Sequence, residues 1–167
     1  MSETEKVIEN SCNMMGVNPA LVQLAYPPIQ VAEQNPAFAE ILKMDYCGGV
    51  SELSAITQYI HTEILLSGKN CEVAKTILGI AMAEMIRLQT LGKLVVLLGG
   101  NPDYKTMQQK RGAVFWTPEW LTLPGEPKQM LLNGIASEKG AIAQYKKTYE
   151  DDKRSSYFED NRKDYKR

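Results

Sequence analysis

Apolar residues recur at helical spacing in three long stretches of this chain. An Asn-Pro pair opens the first stretch, and Ser-Gly ends it. Paired glycines followed by Asn-Pro end the second, and a proline opens the third. These start and stop signals predict three helices, over about residues 36–66, 71–98 and 127–150.

The spacing between these stretches predicts how the helices connect. Only a few residues separate the first two, so we expect an antiparallel hairpin. Residues 101–126 lack periodicity and contain several prolines and glycines, which predicts a long crossover. We divide the chain into an N-terminal extension with a short helix (1–34), a helical bundle (35–150) and a charged tail (151–167).

The end of the chain lacks the pattern of a core helix. Eighteen residues follow Tyr149, and twelve of them are charged. An apolar stripe at a period of 3.6 is absent there, so a fourth core-facing helix is not predicted. Two interpretations remain open: a solvated or disordered extension of the third helix, and a truncation or change of reading frame.

One short pattern occurs twice, 86 residues apart. SELSAITQYIHT spans 51–62 and SEKGAIAQYKKT spans 137–148, with seven of twelve positions identical. Each copy places a glutamate, Glu52 or Glu138, inside the apolar face of its helix. Glu84 occupies the same kind of stripe in the second helix.

Three mid-helix carboxylates on apolar faces require an explanation. A buried carboxylate is costly unless it is paired or binds a metal, and three together would repel without a cation. For any one glutamate, the simpler interpretation is a residue at the helix edge whose head reaches water. Three at similar depth favour a metal site.

Composition excludes several classes of function. The net charge of −1 predicts no binding to nucleic acid or an acidic membrane surface. The acidic N-terminus does not resemble a signal peptide, and no apolar run is long enough to span a membrane. Cys12, Cys47 and Cys71 are odd in number and form no Cys-x-x-Cys pair, which predicts free thiols in a reducing cytoplasm.

The two copies of the pattern, the stretch AMAEMIRLQTLGKLVVLLGGNP at 81–102 and the long crossover resemble the ferritin-like di-metal carboxylate superfamily. Within it, the resemblance is to the branch of rubrerythrin, manganese catalase and spore-coat catalase-like proteins, over about residues 36–150. It implies an all-α, antiparallel helical bundle with a long crossover, here with its fourth core helix truncated or replaced. A spore-coat location is open by this resemblance alone.

The resemblance also implies a site. Members hold two iron or manganese ions with one glutamate from each of two helices and a Glu-x-x-His from each of the other two. By this resemblance Glu52 and Glu138 are the lone or bridging carboxylates, and Glu84 is the glutamate of the first Glu-x-x-His. Tyr59 and Tyr145 would be groups that contact these ligands, with tyrosines that only pack as the alternative.

Two features depart from that family pattern. Arg87 stands where the family has the first histidine, and a guanidinium does not ligate a metal. A second Glu-x-x-His is missing, and the single histidine, His61, lies about half a turn from the candidate face. We expect His61 to be a surface or packing residue.

Two functional hypotheses follow. The first is a ferritin-like protein whose di-metal site is degenerate, with iron or manganese weakly bound or lost, little redox activity, and Arg87 neutralising Glu84 at i, i+3 spacing. The second is a working di-iron or di-manganese oxidoreductase, of peroxidase or catalase type, or a metal-handling protein. The sequence identifies no catalytic residue.

Three apolar stripes without a fourth helix predict an open groove. It would be lined by residues such as Ile77, Leu88, Ile135 and Ile142, and soluble monomers rarely expose so large an apolar surface. Either residues 21–31 fold back over it or a second copy of the chain covers it. We expect a homodimer or larger homo-oligomer.

Overall fold

Four helices account for most of the described chain. The computed structural model describes residues 12–21, 28–108 and 111–164, with side chains as far as residue 152. The helices are α1 (Pro36–Cys47), α2 (Glu52–Ser67), α3 (Cys71–Leu97) and α4 (Pro127–Asp164). Strands β1 (Lys105–Gln108) and β2 (Gly112–Phe115) and a 3₁₀ helix (Pro118–Trp120) lie between α3 and α4.

The prediction of one continuous helix over 36–66 was wrong, because residues 48–51 separate α1 from α2. A side chain at Gly48 would come within 2.5 Å of the Met44 carbonyl oxygen, so only glycine fits there. Ser51 caps α2 by accepting a hydrogen bond from the Ser54 N–H, and its own hydroxyl donates to the Gly48 carbonyl. The local side chains therefore stabilise a break that helical periodicity does not reveal.

The helices run antiparallel to their neighbours. Three residues connect α2 to α3, and the two helices pack along their length. Tyr59 of α2 contacts Glu138 of α4, and Glu52 contacts Tyr145, so positions advance in opposite directions along these two helices. Helices α1 and α2 together occupy the place of the predicted first helix.

The crossover carries a β-hairpin that periodicity did not predict. Strands β1 and β2 pair antiparallel, with Lys105 opposite Phe115 and Gln108 opposite Gly112. Trp116 fixes the crossover on the helices, since its indole N–H donates to Ser54 Oγ over 2.9 Å. Four-residue strands are too short to give a clear alternation in the sequence.

Two apolar clusters form the core, one at each end of the helices. The first joins α1 to the end of α3, and the second joins α2, the start of α3 and Met130 of α4. Glu52 and Glu84 are buried but belong to neither cluster. In the sequence, each lies between members of the two clusters. The first cluster contains Ala39, Leu42, Tyr46, Cys47, Leu91, Val95 and Leu98; the second contains Tyr59, Leu66, Ala74, Ile77, Ala81 and Met130.

The predicted open groove is only half present. Ile77 is buried in the second cluster, and Leu88 packs against the first. Ile135 and Ile142 of α4 are exposed, as predicted. Of the proposed cover, residues 22–27 lie outside the described part, and Val31 packs against the first cluster. The sequence pattern identified the apolar faces and could not show which of them would find a neighbour.

The N-terminal segment is tied to α3. Cys12 and Cys71 form a disulfide, so the prediction of free thiols was wrong for these two residues, and Cys47 is free and buried. The Ala20 N–H also donates to the Gly79 carbonyl over 2.8 Å. The disulfide removes the argument from free thiols, and the cytoplasmic location stays a prediction. Within the described residues, no helix is long and apolar enough to cross a membrane.

Helix α4 is longer than predicted. The sequence placed its end near residue 150, whereas helical structure continues to Asp164. Charged side chains support helix formation without an apolar face, and the stretch after Gly140 contains no proline or glycine that would end a helix. The division into extension, bundle and tail stays a prediction.

Candidate metal or carboxylate site

The three predicted glutamates line one cavity. It has a volume of about 370 Å³ and is lined by residues of all four helices and of the crossover. Glu52 is the first residue of α2, Glu84 lies in the middle of α3, and Glu138 lies one helical turn after Gly134 of α4. Glu52 and Glu84 are buried, and Glu138 is half-buried. The helical stripes thus bring together the residues that the sequence singled out.

The repeated pattern forms a reciprocal contact between α2 and α4. The Tyr59 hydroxyl of α2 donates to the Glu138 carboxylate, and the Tyr145 hydroxyl of α4 donates to the Glu52 carboxylate. Each copy therefore supplies one glutamate and one tyrosine to the other copy. Because the two helices are antiparallel, the same spacing of seven residues satisfies both pairs at once.

The serine and glutamine of the repeat extend this contact. Ser137 of α4 donates to Gln58 Oε1 of α2 over 3.2 Å. Gln144 of α4 donates through Nε2 to the Val50 carbonyl, at 2.7 Å, and to Asp45 Oδ1, at 2.8 Å. The identical positions of the repeat are thus largely those that hydrogen-bond between the helices.

Arg87 binds Glu84 directly. Its guanidinium forms an ion pair with Glu84 Oε1, as the i, i+3 spacing predicted. The Glu84 side chain is only 3% exposed, whereas that of Arg87 is 37% exposed and also lines the cavity. A fixed positive charge therefore lies within the group of glutamates.

Burial favours the protonated form of Glu52. Burial, and then the neighbouring Glu84 carboxyl, raise the pKa of Glu52 to about 9, while the hydrogen bond from Tyr145 acts in the opposite direction. Glu84 Oε2 is buried and has no donor among the described residues when both groups are charged. A proton on Glu52 would supply that donor. The pKa values of the Tyr59 and Tyr145 hydroxyls are also raised, first by burial and then by the glutamates beside them.

Asp45 is a further buried carboxylate that the sequence analysis did not single out. It is 2% exposed, lines the same cavity and accepts from Gln144. Burial raises its pKa, and the hydrogen bonds from Thr148 and Gln144 partly offset this. Its position seven residues before Glu52 on the same stripe was the available signal.

His61 takes no part in this arrangement. It is half-buried and is absent from the residues that line the cavity within the described chain. Ring nitrogen Nδ1 is buried without a hydrogen-bond partner there.

The donor set does not fit a di-metal centre in this geometry. Among the described residues, no three side chains of His, Cys, Asp or Glu come together closely enough to hold a metal ion. The set lacks an imidazole, which supplies much of the affinity for iron and manganese in mixed sites. Oxygens of Glu52, Glu84 and Glu138 instead accept from Tyr145, Arg87 and Tyr59.

Comparison with known proteins identifies the fold. No protein-family model and no curated protein matches the sequence. Two crystal structures of KatB, a manganese catalase from Anabaena, are similar: one, from Anabaena PCC7120, has a TM-score of 0.65 and 24% identity. The other, of the wild-type protein, has a TM-score of 0.62 and 24% identity. Each match covers 77% of this chain and 64% of KatB, so the chain spans less than two thirds of that protein's length. The predicted all-α, ferritin-like fold is confirmed.

Proposed function

We propose that this chain is a ferritin-like protein whose di-metal carboxylate site is degenerate, with weak or absent metal binding and little redox activity. The observation that carries the proposal is the ion pair between Arg87 and Glu84. Arg87 brings a permanent positive charge to the place where the family resemblance puts a neutral histidine ligand. The guanidinium neutralises Glu84 without a metal ion.

The hydrogen bonds of the other two glutamates support the same proposal. A divalent ion at this place would compete with the Tyr145 hydroxyl for Glu52 and with the Tyr59 hydroxyl for Glu138. It would also have to displace the proton that burial holds on Glu52, whose pKa is about 9. Each of these costs weakens metal binding. The expected occupancy is at most one weakly held hard cation, because three carboxylates alone suit such an ion.

The alternative is a working di-iron or di-manganese oxidoreductase, or a metal-handling protein. The likeness to manganese catalase and the cavity that Glu52, Glu84 and Glu138 share favour this alternative. An iron or manganese pair would supply the redox chemistry, and the glutamates would hold the ions.

Metal analysis of protein purified without chelators separates the two. We expect less than one iron or manganese ion per chain after dialysis. Arg87→His should raise the uptake of either metal, because it adds an imidazole beside Glu84. Arg87→Lys is the matched control, since it keeps a cation and adds no neutral nitrogen ligand, and its uptake should stay low.

Two results would contradict the proposal. Two tightly held ions per chain in the unmodified protein, lost in Glu84→Ala, would establish the alternative. Equal uptake by the Arg87→His and Arg87→Lys variants would mean that Glu84 does not face the place of a lost metal site.

A further inference from the structure

Helix α4 has two distinct stripes: among the described residues, one packs on the bundle and the other is largely exposed. The inner stripe packs on α1 and α2 and consists mostly of small or polar residues. Gly134 lies against the Tyr59 ring, and a side chain there would come within 3.3 Å of it. This stripe comprises Met130, Gly134, Ser137, Ala141, Gln144 and Thr148, all buried or half-buried.

The outer stripe begins two residues further along, at Leu132, and its mean direction lies about 150° around the helix from that of the inner stripe. Its apolar members are large and exposed: Leu132 is 48%, Ile135 is 54% and Ile142 is 55% exposed. Lys139 and Lys146 complete an alternating spacing of three and four residues that ends at Tyr149. This spacing is the pattern of a helix that packs along another helix.

We propose that the outer stripe of α4 is a homodimer interface, in which the α4 helices of two copies pack antiparallel about a two-fold axis. In this arrangement each copy covers the stripe of the other, as a symmetric interface requires. The long aliphatic parts of the lysines can lie along the apolar residues while their charged ends reach water.

The charges of α4 select the antiparallel direction. Lys128 is the single charged residue in the first ten positions of the helix, and it lies on the same face as Glu150, 22 residues later. Asp151 and Asp152 instead line pockets on the side of α4 that faces the bundle. An antiparallel pair centred near Lys139 places Lys128 of one copy beside Glu150 of the other. A parallel pair would place the two Glu150 side chains together and the two Lys128 side chains together, which is unfavourable.

The exposed area is sufficient for a small stable interface. Aromatic side chains bury roughly 150–250 Å² each, and those of Leu and Ile are somewhat smaller. Five on this helix are about half exposed, so about 500 Å² per copy, or about 1,000 Å² per pair, is available before polar contacts are counted. These five are Leu131, Leu132, Ile135, Ile142 and Tyr149. Ile142 also lines the cavity, so the second copy would cover the cavity on that side.

Light scattering behind a sizing column tests the association. At micromolar concentration we expect twice the 18.7 kDa mass of one chain. Ile135→Glu should weaken dimerisation at least tenfold and yield monomer with unchanged helical circular dichroism. Ile64→Glu is the matched control, because Ile64 is 61% exposed on α2, and this variant should remain a dimer.

Cross-linking through engineered cysteines tests the direction. Lys139→Cys lies near the two-fold axis and should form a covalent dimer with its own copy on mild oxidation. Lys128→Cys alone should not, whereas a mixture of Lys128→Cys and Glu150→Cys should. This test is independent of metal content, so it can fail without affecting the proposed function.

Three outcomes would overturn the proposal. The first is unmodified protein that is monomeric at every concentration. In that case, low binding of a hydrophobic dye would mean that another part of the chain covers the stripe, whereas high binding would mean that the stripe stays open. Loss of the dimer in Ile64→Glu but not in Ile135→Glu would assign the interface to another surface. Self-cross-linking of Lys128→Cys would mean a parallel pair.

Discussion

The two copies of the repeat have nearly the same sequence and different surroundings. In α2, Glu52 is 5% and Tyr59 is 4% exposed, whereas in α4, Tyr145 is 37% exposed and Glu138 is half-buried. Helix α2 has α3 on one side and α4 on another, while α4 packs on α1 and α2. The residues that the copies share determine how they bind each other, and the number of neighbouring helices determines how deeply each copy is buried.

The positions at which the copies differ record this asymmetry. Lys139 and Lys146 of α4 stand where α2 has Leu53 and Ile60. Lysine tolerates an edge position because its stem packs and its charge reaches water. A lysine at a repeat position that is apolar in the other copy thus indicates which copy is more exposed.

Replacing the tyrosine of each copy should give the largest difference in stability between the two copies. Tyr59→Ala opens a hole in the second apolar cluster and should lower the free energy of unfolding by about 3–5 kcal/mol. Tyr145→Ala removes a more exposed ring and should cost about 1–2 kcal/mol. Urea unfolding followed by circular dichroism measures both. Equal losses would mean that the two copies are equally buried in solution.

The buried glutamate of the first copy should make stability depend on pH. Because the pKa of Glu52 is about 9 in the folded protein and about 4.5 in an unfolded chain, the folded state binds one more proton between these values. Stability should therefore fall as pH rises through this window, by at most about 1.4 kcal/mol per pH unit.

Glutamine variants at the two equivalent positions isolate this effect. Glu52→Gln should remove the pH dependence due to Glu52, whereas Glu138→Gln retains Glu52 and therefore retains that dependence. Unfolding in urea at several pH values between 5 and 9 compares the variants. The same slope in Glu52→Gln and the unmodified protein would refute the assignment to Glu52.

Alanine substitutions at two glycines of α4 should change stability the least, and in opposite directions. A methyl group at Gly140 would meet Val50 at an ordinary 3.5 Å, so Gly140→Ala should stabilise the helix by about 0.5–1 kcal/mol. The same group at Gly134 would press on the buried Tyr59 ring, and Gly134→Ala should lower stability by about the same amount. Thermal unfolding measures both changes. Stabilisation by both variants would indicate a looser contact between α2 and α4.

The sequence predicted the features that depend on local pattern. The three apolar stripes predicted the three long helical segments. The glutamates on those stripes line one cavity, although their role in metal binding stays a prediction. The pairing of Arg87 with Glu84 followed from helical spacing alone.

The features that the sequence did not predict depend on contacts between distant parts of the chain. Burial of Asp45 depends on Gln144, about 100 residues away, which donates a hydrogen bond to its carboxylate. The break after Cys47 depends on serine capping and on Trp116, which binds Ser54 from the crossover. Cys12 and Cys71 are 59 residues apart, and their pairing requires the N-terminal segment to lie along α3.

The disulfide between Cys12 and Cys71 also makes part of the chain a covalent ring. The ring contains the whole of α1 and α2, because both lie between these cysteines. A protease that cuts one peptide bond inside the ring opens it without dividing the molecule. The cut protein should therefore migrate as one species on a denaturing gel without reductant and separate into two fragments when reductant is added.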